Sequence, residues 1–570
     1  MKKFFLPILI SCAIAPAMAQ NIADAGRFAN SEIAGTARYR AMAGAFGALG
    51  GDATAMNDNP AGIAIFRGTN QLTFSPTLSS TRTNTKADIS TMTKKTDFAV
   101  SNLAYIISIR PEGSDKLVNF NIGLGFNHSE GLSRKYQMNL MNPRSSFGKY
   151  VMTRANNALR ATSDPRYPYY LNNHTTYEHP DYLASDDAWD NRDIPLIALM
   201  GYDSYAIDDR VNQQGEFEGV EAFDIANGLS AAQYMSVLEK NRKDEYNINI
   251  SANWDDRFYA GLTLSIVDFN STVISDFYEE YSNNDASYDE YFNDLETKGS
   301  GVNFKLGMIY KPTPEWRIGA AIHTPTWYDM KDYYNGAMKT DDPDCIDYSY
   351  ASQYGAYEAR YKYYSPWEYQ FSTAYVFGQK AILSLEYDLK DFANSSYAAN
   401  EGGKAEYRGQ NNYISQYMQM QHTIKAGLEY RLSNEFSLRA GFANQTSPYK
   451  SELLNDDLGN TVWNERYNGN MYWGDDRTLM LDGSTKPNYS LLDGTQYICG
   501  GLGWAKGRWS IDFAVTDRIM NEKIAAFPTT AEVEFNPNWE AVLTGDCAQA
   551  TIVDMKTHSL KYDLTIGYKF

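Results

Sequence analysis

The sequence predicts an all-β transmembrane barrel of about 14 antiparallel strands, plugged by a small N-terminal hatch of short helices. Residue patterns of period two recur over most of the chain, and their connections alternate between short turns and long loops. Aromatic residues make up 14% of the chain, as expected of a barrel that places aromatic girdles at both membrane interfaces. These observations are typical of bacterial outer-membrane proteins.

The first 20 residues, MKKFFLPILISCAIAPAMAQ, have the features of a secretion signal. Two lysines give a charged start, an apolar run covers residues 4–14, and residues 17–19 offer a small-residue cleavage site. The apolar run is shorter than the roughly 18 residues that a membrane-spanning helix needs. We therefore expect residues 1–19 to be a cleaved signal peptide.

Mean hydropathy, net charge and cysteine spacing exclude some classes of function for the exported chain. The mean hydropathy of −0.49 is compatible with a barrel, because a polar lumen and large loops dilute the apolar outer face. The net charge is −19, or −21 without the two leader lysines, which disfavours nucleic-acid binding. Cys345, Cys499 and Cys547 have unrelated spacings, which indicate neither a disulfide framework nor a metal site. Cys345 and Cys547 lie in loop-like contexts and could pair.

The last ten residues, KYDLTIGYKF, alternate cleanly between apolar and polar side chains. Tyr562, Leu564, Ile566, Tyr568 and Phe570 share one face, and period two indicates a strand. A final strand ending in an aromatic residue resembles the assembly signal of bacterial outer-membrane barrels. It implies recognition of Phe570 by the barrel-assembly machinery, and a barrel surrounded by outer-membrane lipid and lipopolysaccharide. An amphipathic strand of a soluble sandwich is the alternative.

The same alternation recurs upstream, and none of its apolar faces carries Lys or Arg. A lipid-facing Leu or Phe gains roughly 1.5–3 kcal/mol, whereas a Lys or Arg there would cost ~2–4 kcal/mol near the midplane. The predicted strands lie at 70–83, 97–110, 116–128, 243–254, 257–270, 302–310, 316–322, 367–375, 381–389, 424–430, 436–442, 498–504, 509–515 and the C-terminus.

The connections alternate in length, as expected of short periplasmic turns and long outer loops. The predicted short turns are 111–115, 254–257, 311–314, 377–380, 432–435 and 505–507. The predicted long loops are 130–242, 272–299, 328–360, 396–414, 448–493 and 520–556. An even strand count puts both ends in the periplasm, with residues 20–68 as a hatch that folds inward and residues 69–570 as the barrel. Within 130–242, we predict helices in PLIALMGYDSYAIDD and GLSAAQYMSVLEKN.

The stretch AMAGAFGALGGDATAMNDNPAGIAIF, residues 41–66, is rich in Ala and Gly and almost uncharged. Small residues allow short pieces to pack closely against a barrel wall, and glycine permits backbone angles closed to other residues. Pro60 stops a helix and biases Asn59 towards an extended backbone. We expect a compact plug with few strong contacts, although an ordinary loop with an Asn-Pro turn fits the same residues.

These residues resemble a known family. The stretch 44–48, followed by Gly51-Asp52 and by Asn59-Pro60-Ala61-Gly62, is similar to the amino-terminal hatch of the FadL family. Its members are outer-membrane channels for long-chain fatty acids and other hydrophobic compounds, including toluene-type channels. Residues 366–397 and 422–449 also resemble its barrel hairpins, so the resemblance covers nearly the whole mature chain.

The resemblance implies a 14-stranded barrel in which outer loops capture the ligand and pass it to an apolar pocket. Release is sideways, through a gap made by a kink in the third strand, and a hatch shift near Asn59, Pro60, Ala61 and Gly62 accompanies it. In this chain Gly123 and Gly125 are the candidate kink points of the third strand, although they could equally face a crowded lumen. The large 130–242 insertion departs from the family and leaves the ligand open.

A porin, a receptor for another hydrophobic ligand and a hydrolase are the alternatives to a channel for passive uptake of fatty acids. A polar-solute porin would show a charged constriction and no hatch, and a receptor for haem or another hydrophobic ligand fits the same fold. A hydrolase would need a nucleophile beside one of the six histidines, and none has such a motif; His323 and His422 are predicted to face the lumen. Asp341, Asp342 and Asp344, like the Asp and Glu residues of 276–296, are interpreted as solvated loop charge, with Ca²⁺ binding or contact with divalent-bridged lipopolysaccharide as the alternatives. We expect no enzyme activity, cofactor or metal.

Overall fold

The computed structural model describes residues 21–111, 116–129, 131, 133–162, 183, 195–211, 213, 217–222, 231–282, 288–341, 348–349, 357–400, 403–455, 487–535 and 541–570. The expected signal peptide, Asp342, Asp344 and Cys345 lie outside these residues, as does the side chain of Cys547. Cys499 is a free, buried cysteine.

Strands dominate the described chain. They are β1 (Gln71–Thr85), β2 (Thr91–Ile109), β3 (Leu117–Ser129), β4 (Arg134–Leu140), β5 (Ile207–Val211), β6 (Phe217–Ala222), β7 (Ala231–Trp254), β8 (Phe258–Tyr281), β9 (Tyr288–Tyr310), β10 (Trp316–His323), β11 (Trp327–Thr340), β12 (Tyr348–Ser349), β13 (Tyr357–Tyr364), β14 (Glu368–Phe377), β15 (Ala381–Asp391), β16 (Ser396–Ala399), β17 (Met420–Arg431), β18 (Phe436–Gln445), β19 (Tyr489–Lys506), β20 (Trp509–Ala525), β21 (Thr530–Phe535), β22 (Ala541–Ala548) and β23 (Val553–Lys569).

Helices are short. They are α1 (Ile22–Ala29), α2 (Ala37–Ala41), α3 (Phe147–Thr162), α4 (Leu196–Asp203), α5 (Arg408–Tyr417) and α6 (Ser451–Leu454), with 3₁₀ turns at Ala53–Met56, Pro60–Ile65, Phe392–Asn394 and Lys404–Tyr407. Among the residues that the structure describes, we find no helix with both the length and the apolar character needed to cross a bilayer.

The main sheet closes on itself, because β1 pairs antiparallel with β2 on one edge and with β23 on the other. Several wall positions consist of two successive segments: β9 pairs first with β10 and then with β11, for example. Joining β3 with β4, β10 with β11, β13 with β14 and β15 with β16 gives a closed barrel of 14 antiparallel strands. The predicted fold class is confirmed.

The two faces of the wall are inverted relative to a soluble protein. The outward face carries exposed apolar side chains in a continuous belt, including Leu306, Phe371, Ile424 and Leu438, as the period-two pattern predicted. The inward face carries buried polar side chains, including Asn119, Ser251, Thr263 and Lys425. Soluble monomers rarely expose so large an apolar surface, so the belt fits contact with lipid.

The two ends of the barrel differ. At one end, here called the short-turn end, hairpins close within a few residues, as between β7 and β8 or between β17 and β18. The chain terminus Phe570 also lies there, its N–H donating to the carbonyl of Asn70 at 3.0 Å. At the opposite, long-loop end, many residues expected in loops instead prolong the wall: β8 and β9 form one hairpin through most of 272–299.

The segment 130–242 confirms one predicted helix and overturns the other. Residues Leu196–Asp203 form α4. The stretch GLSAAQYMSVLEKN is wrong as a helix, because from Ala231 onward it belongs to β7. Gln233, Met235 and Val237 point to the buried side in strict alternation while the backbone pairs with β4 and β8. Two neighbouring edges therefore supply the hydrogen bonds that a helix would make internally.

Residues 21–68, here called the hatch, lie inside the barrel. α2 packs on β19 and β20 so closely that a Cβ added to Gly501 would lie 2.6 Å from the Cβ of Ala41. The 3₁₀ turn Pro60–Ile65 packs against β7, β8 and β9. Fully buried Ala37, Ala41 and Ala61 show how small residues allow this fit.

His323 and His422 were both expected to face the lumen, but only His323 does. His323 is buried, and its Nε2 lies 2.7 Å from the carbonyl oxygen of Asp58 in the hatch, as predicted. The prediction for His422 is wrong: it shares the outward face with Met420 and Ile424, and its Nδ1 lies 2.8 Å from the hydroxyl of Tyr387.

Leu385→Arg and Leu432→Arg form a matched test of the lipid face. Both leucines are exposed, by 46% and 59%, but Leu385 lies within the apolar belt whereas Leu432 lies in a turn at the short-turn end. We expect Leu385→Arg to cost ~2–4 kcal/mol and Leu432→Arg ~0–1 kcal/mol. Urea unfolding of the refolded barrel in lipid vesicles, read by heat-modifiable gel mobility, measures both. Equal losses would contradict the assigned membrane face.

Candidate functional site

A cavity of about 150 Å³ lies in the lumen, bounded by the end of α1, the hatch and the barrel wall. Charged and polar side chains make up most of its lining, with Phe28, Ile33, Ala34 and Pro366 as apolar members. Its ionisable side chains are Glu32, Asp58, Lys243, Glu245, Lys305, His323, Glu368, Asp388, Lys390 and Lys425. The cavity thus differs from the apolar pocket that the family resemblance implies.

The charges around this cavity are paired. Lys305 Nζ lies 2.8 Å from Glu245 Oε2, and Lys425 Nζ lies 2.7 Å from Asp388 Oδ2. Lys390 also ties the cavity to the hatch, since its Nζ donates to the carbonyl of Ala29 at 2.7 Å. Pairing of this kind lets charged groups remain inside a low-dielectric lumen. The ammonium groups of these paired lysines line the cavity, so an anionic group of a ligand in the cavity would contact them.

The roof of the cavity is α1, which is held by tyrosines of the long-loop end. The hydroxyl of Tyr363 donates to the carbonyl of Ala25 at 2.8 Å, and that of Tyr397 donates to the carbonyl of Asn21 at 3.0 Å. Phe28 packs edge-on between Phe269 and Tyr363. The cavity is therefore closed on the long-loop side.

Asn59 and Pro60 belong to the part of the hatch on the short-turn side of the cavity, here called the hatch floor, and they are not among the residues that line the cavity. The Asn59 Nδ2 donates to the carbonyls of Gly47 at 2.7 Å and Met308 at 3.1 Å, and its Oδ1 accepts from the N–H of Ala61 at 3.1 Å. A Cβ added to Gly307 would lie 1.9 Å from this Oδ1, so a glycine in the wall is what admits Asn59.

Residues 60–62 also pack closely against the wall and the rest of the hatch. A Cβ on Gly261 would lie 2.4 Å from the Pro60 carbonyl carbon, and Gly62 packs against Ala55 and Gly50. The segment 59–62 is thus tightly held between wall and hatch, in contrast to the few strong contacts expected from its composition.

Gly123 and Gly125 remain within a paired strand. Gly123 pairs with Ile106 of β2 and Asn249 of β7, and Gly125 is likewise paired on both sides. Added Cβ atoms at both glycines would meet Met56 of the hatch at 2.7 Å. In this structure the two glycines make room for the hatch, which is the alternative that the sequence left open.

A break in the wall lies further along β3. The β2–β3 ladder ends at the pair Asn102–Asn127, and beyond it β4 pairs with β7. Towards the long-loop end, contact with β4 resumes through side chains, as where the Thr91 hydroxyl donates to the carbonyl of Gln137 at 2.8 Å. We call the interval between residues 94–101 and residues 128–134 the wall gap; within it, the described residues form no β2–β3 or β2–β4 backbone pairs.

The hatch spans the wall gap from inside. On the β2 rim, the Ser101 hydroxyl donates to the carbonyl of Gly35 at 3.1 Å. On the β3 rim, the Ser129 hydroxyl donates to Glu32 Oε2 at 3.3 Å. Residues 32–35, here called the bridging segment, thus contact both rims. Since Glu32, Ile33, Ala34 and Asn127 also line the cavity, the bridging segment lies between the cavity and the wall gap.

Glu32 is the charged anchor of the bridging segment. Its carboxylate lies 2.5 Å from Lys561 Nζ, 3.6 Å from Arg40 Nη1 and 3.9 Å from Arg518 Nη1, and its side chain is 2% exposed. Burial disfavours the charged form, but the three cations outweigh burial and lower the pKa of Glu32 to about 2. Arg518 Nη1 also donates to the carbonyl of Gly131 at 2.7 Å, linking Glu32 to the β3–β4 turn.

Sequence reasoning singled out residues 59–62 and did not find the bridging segment. The available signal was one acidic residue within the small-residue stretch ANSEIAGTA, residues 29–37. A buried charge in such a stretch requires a partner, but only Arg40 is close in sequence; the other two partners of Glu32, Arg518 and Lys561, come from β20 and β23, hundreds of residues away.

Glu32→Gln should lower stability and change its dependence on pH. A carboxylate whose folded pKa is lowered stabilises the native state above its unfolded pKa, and this contribution is lost as pH falls through the folded pKa. In the parent chain, Glu32 should therefore contribute on the order of 3 kcal/mol to the free energy of unfolding above about pH 4.5, and this contribution should disappear as the pH falls to about 2. The free energy of unfolding, measured in urea across this range, should fall less in the variant than in the parent.

The matched control is Glu452→Gln, because Glu452 is an exposed carboxylate of α6. It should retain the pH profile of the parent. A Glu32→Gln profile that superimposes on the parent profile would show that Glu32 does not anchor the hatch.

Comparison with protein-family models and with curated proteins gave no match. Solved structures do match. A FadL homologue from Pseudomonas aeruginosa shares 11% identity over 94% of this chain and 98% of its own, with a TM-score of 0.50. The P. putida toluene transporter TodX shares 11% identity over 95% and 99%, with a TM-score of 0.47. The Ralstonia pickettii toluene transporter TbuX shares 12% over 94% and 99%, with a TM-score of 0.46.

The similarity to the P. aeruginosa protein extends over almost the full length of both chains, so it includes the hatch as well as the barrel. At this identity it concerns the fold. The predicted resemblance is confirmed at that level: the chain has the FadL-type fold, a 14-stranded barrel with its N-terminal segment inside the lumen.

Proposed function

We propose that this chain is a passive outer-membrane channel for hydrophobic small molecules, with long-chain fatty acids as the favoured class. The wall gap, backed by the bridging segment, is the observation that carries the proposal. A solute leaving through the gap would enter the bilayer directly and would not have to pass the hatch floor. The apolar belt and the FadL-type fold support this reading.

In this proposal the short-turn end faces the periplasm and the long-loop end faces the exterior, as in other outer-membrane barrels. Phe570, 56% exposed at the short-turn end, is accessible to a barrel-assembly machinery, and its recognition stays a prediction. The loops of 130–242 would then meet the solute first.

The cavity lining favours a ligand with an anionic head. Lys243, Lys305, Lys390 and Lys425 place four ammonium groups around the cavity, and a carboxylate can exchange with their present partners. Phe28, Ile33 and Ala34 give an apolar border next to the bridging segment. Each buried CH₂ of an acyl chain gains about 0.8 kcal/mol, so binding needs no external energy source.

We place the moving part of the hatch at the bridging segment. Its hydrogen bonds to Ser101 and Ser129 are single contacts, and the ion pairs of Glu32 could exchange with an anionic ligand, whereas residues 59–62 are packed against three wall strands. Residues 59–62 would therefore act as the fixed base of the hatch. Withdrawal of residues 32–35 would connect the cavity to the wall gap, which replaces Gly123 and Gly125 as the proposed opening.

A second candidate function is a channel for a polar solute, and the charged lining of the cavity is the observation that favours it. In that case release would follow the lumen and would require the hatch floor to move. Haem remains a third ligand on the same fold, because it combines carboxylates with a large apolar ring.

Uptake by the purified full-length chain in proteoliposomes separates these ligands. We expect accumulation of oleate well above empty liposomes, weaker effects for toluene and haem, and no entry of a small sugar. The physical reason is that only a membrane-soluble solute can use a sideways exit. Rapid sugar entry without oleate uptake would overturn the proposal in favour of a porin.

Blocking the wall gap tests the route. Val100 lies on β2 within the gap, and Val515 lies on β20 in a continuously paired wall; both are half-buried on the outward face. Each is replaced by Cys in a chain whose native cysteines are changed to Ala, and is labelled with a bulky maleimide before reconstitution. We expect labelled Val100→Cys to lose oleate uptake several-fold and labelled Val515→Cys to keep it. Equal uptake by the two would refute sideways release.

A further inference from the structure

Four cations form a horizontal line on the outer face of the barrel, here called the basic row: Arg242, Lys298, Lys331 and Arg360. They come from β7, β9, β11 and β13. The backbone register aligns Lys298 with Lys331 and Lys331 with Arg360, and Asn270 of β8 connects Lys298 with Arg242. Arg242, Lys298 and Arg360 are 53%, 51% and 64% exposed, so the described chain leaves their outward side open.

The basic row lies just beyond the apolar belt. Each cation is four residues further towards the long-loop end than an apolar or aromatic residue of its own strand: Tyr246, Val302, Trp327 or Tyr364. At about 3.4 Å per residue along a tilted strand, this places the cations roughly 10 Å above that edge of the belt. The headgroup layer extends about 5–8 Å beyond the hydrocarbon, so long Lys and Arg side chains at this height can reach back to it.

The alignment of these cations on neighbouring strands destabilises the sheet. Like charges directly opposite each other on neighbouring strands destabilise the pairing. Glu358 forms ion pairs with two of the cations, Lys331 at 2.7 Å and Arg360 at 2.9 Å. Glu296 lies 2.9 Å from Lys298. Arg242 in turn lies 3.0 Å from Asp268 and 3.3 Å from Asp244, so four carboxylates accompany the four cations of the row. Exposed pairs of this kind are weak, so a polyanion can displace them.

Tyr333 adds a second feature to the row. Its ring lies 4.4 Å from Lys331 Nζ and 5.2 Å from Lys298 Nζ, so it holds both ammonium groups over one aromatic face. Such contacts orient the cations without neutralising them. The row therefore presents aligned and oriented cations whose carboxylate partners are held only by weak, exposed ion pairs.

We propose that the basic row binds the phosphate groups of lipopolysaccharide in the outer leaflet. Phosphate groups can replace the weakly held carboxylate partners of the row, Arg and Lys are the side chains that recognise phosphate, and the position adjoins the lipid-facing belt. The proposal goes beyond solute transport: it depends on an outer-membrane location but not on which solute passes or by which route.

The test compares lipopolysaccharide retained by the parent with that retained by the triple variant Lys298→Gln/Lys331→Gln/Arg360→Gln. The matched control is Lys380→Gln/Arg431→Gln/Lys506→Gln, which removes three exposed cations at the short-turn end. Barrels are purified from outer membranes in mild detergent, and bound lipopolysaccharide is counted by native mass spectrometry. We expect a several-fold loss for the triple variant and none for the control.

A second measurement needs no variant: the purified parent chain is titrated with lipid A and with dephosphorylated lipid A. We expect clearly tighter binding of the phosphorylated form. Equal binding of the two forms, full retention by the triple variant, or equal loss by the control would each overturn the proposal. Oleate uptake in liposomes without lipopolysaccharide should be the same for parent and triple variant, so a failure of the transport proposal remains distinguishable.

Discussion

In hydrocarbon, every backbone N–H and C=O needs a partner within the protein, and this requirement governs the whole structure. The ladder that runs from β1 around to β23 meets it by leaving no free sheet edge. Closure then decides the two faces, because side chains alternate along each strand: apolar residues meet lipid and polar residues enter the lumen. A wide polar lumen must in turn be filled, and the hatch fills it.

The hatch is held by charge as much as by close packing. Buried charges are tolerated only when they are paired, so charged side chains of the hatch pair with opposite charges of the wall. Arg38 pairs with Glu429 and Arg40 with Asp563, while Glu32 collects three cations. Such pairs have defined geometry, and a hatch fixed in this way can change position only by exchanging partners. In the proposed function, an anionic ligand in the adjoining cavity would supply one way to do so.

At the wall gap, the described residues of β2 lack a backbone partner on one side. It is bounded by the last β2–β3 pair on one side and by side-chain contacts between β2 and β4 on the other. Unpaired backbone at membrane depth is tolerated where protein covers it, and the bridging segment does so from inside. The same segment therefore covers the gap and separates it from the cavity. In the proposed function, the position of the hatch would then control access through the wall.

The sequence alone determined the barrel, its strand number, the lipid-facing side chains and the lumenal location of the N-terminal segment, because these follow from local alternation and turn length. It misassigned residues 231–241, whose strand is stabilised by pairing with β4 and β8 rather than by local preference. Only the tertiary structure decided the charged cavity, the wall gap and the role of Glu32. Those features depend on contacts such as Glu32 with Lys561, between residues more than 500 positions apart, and no local pattern encodes which distant charges will meet.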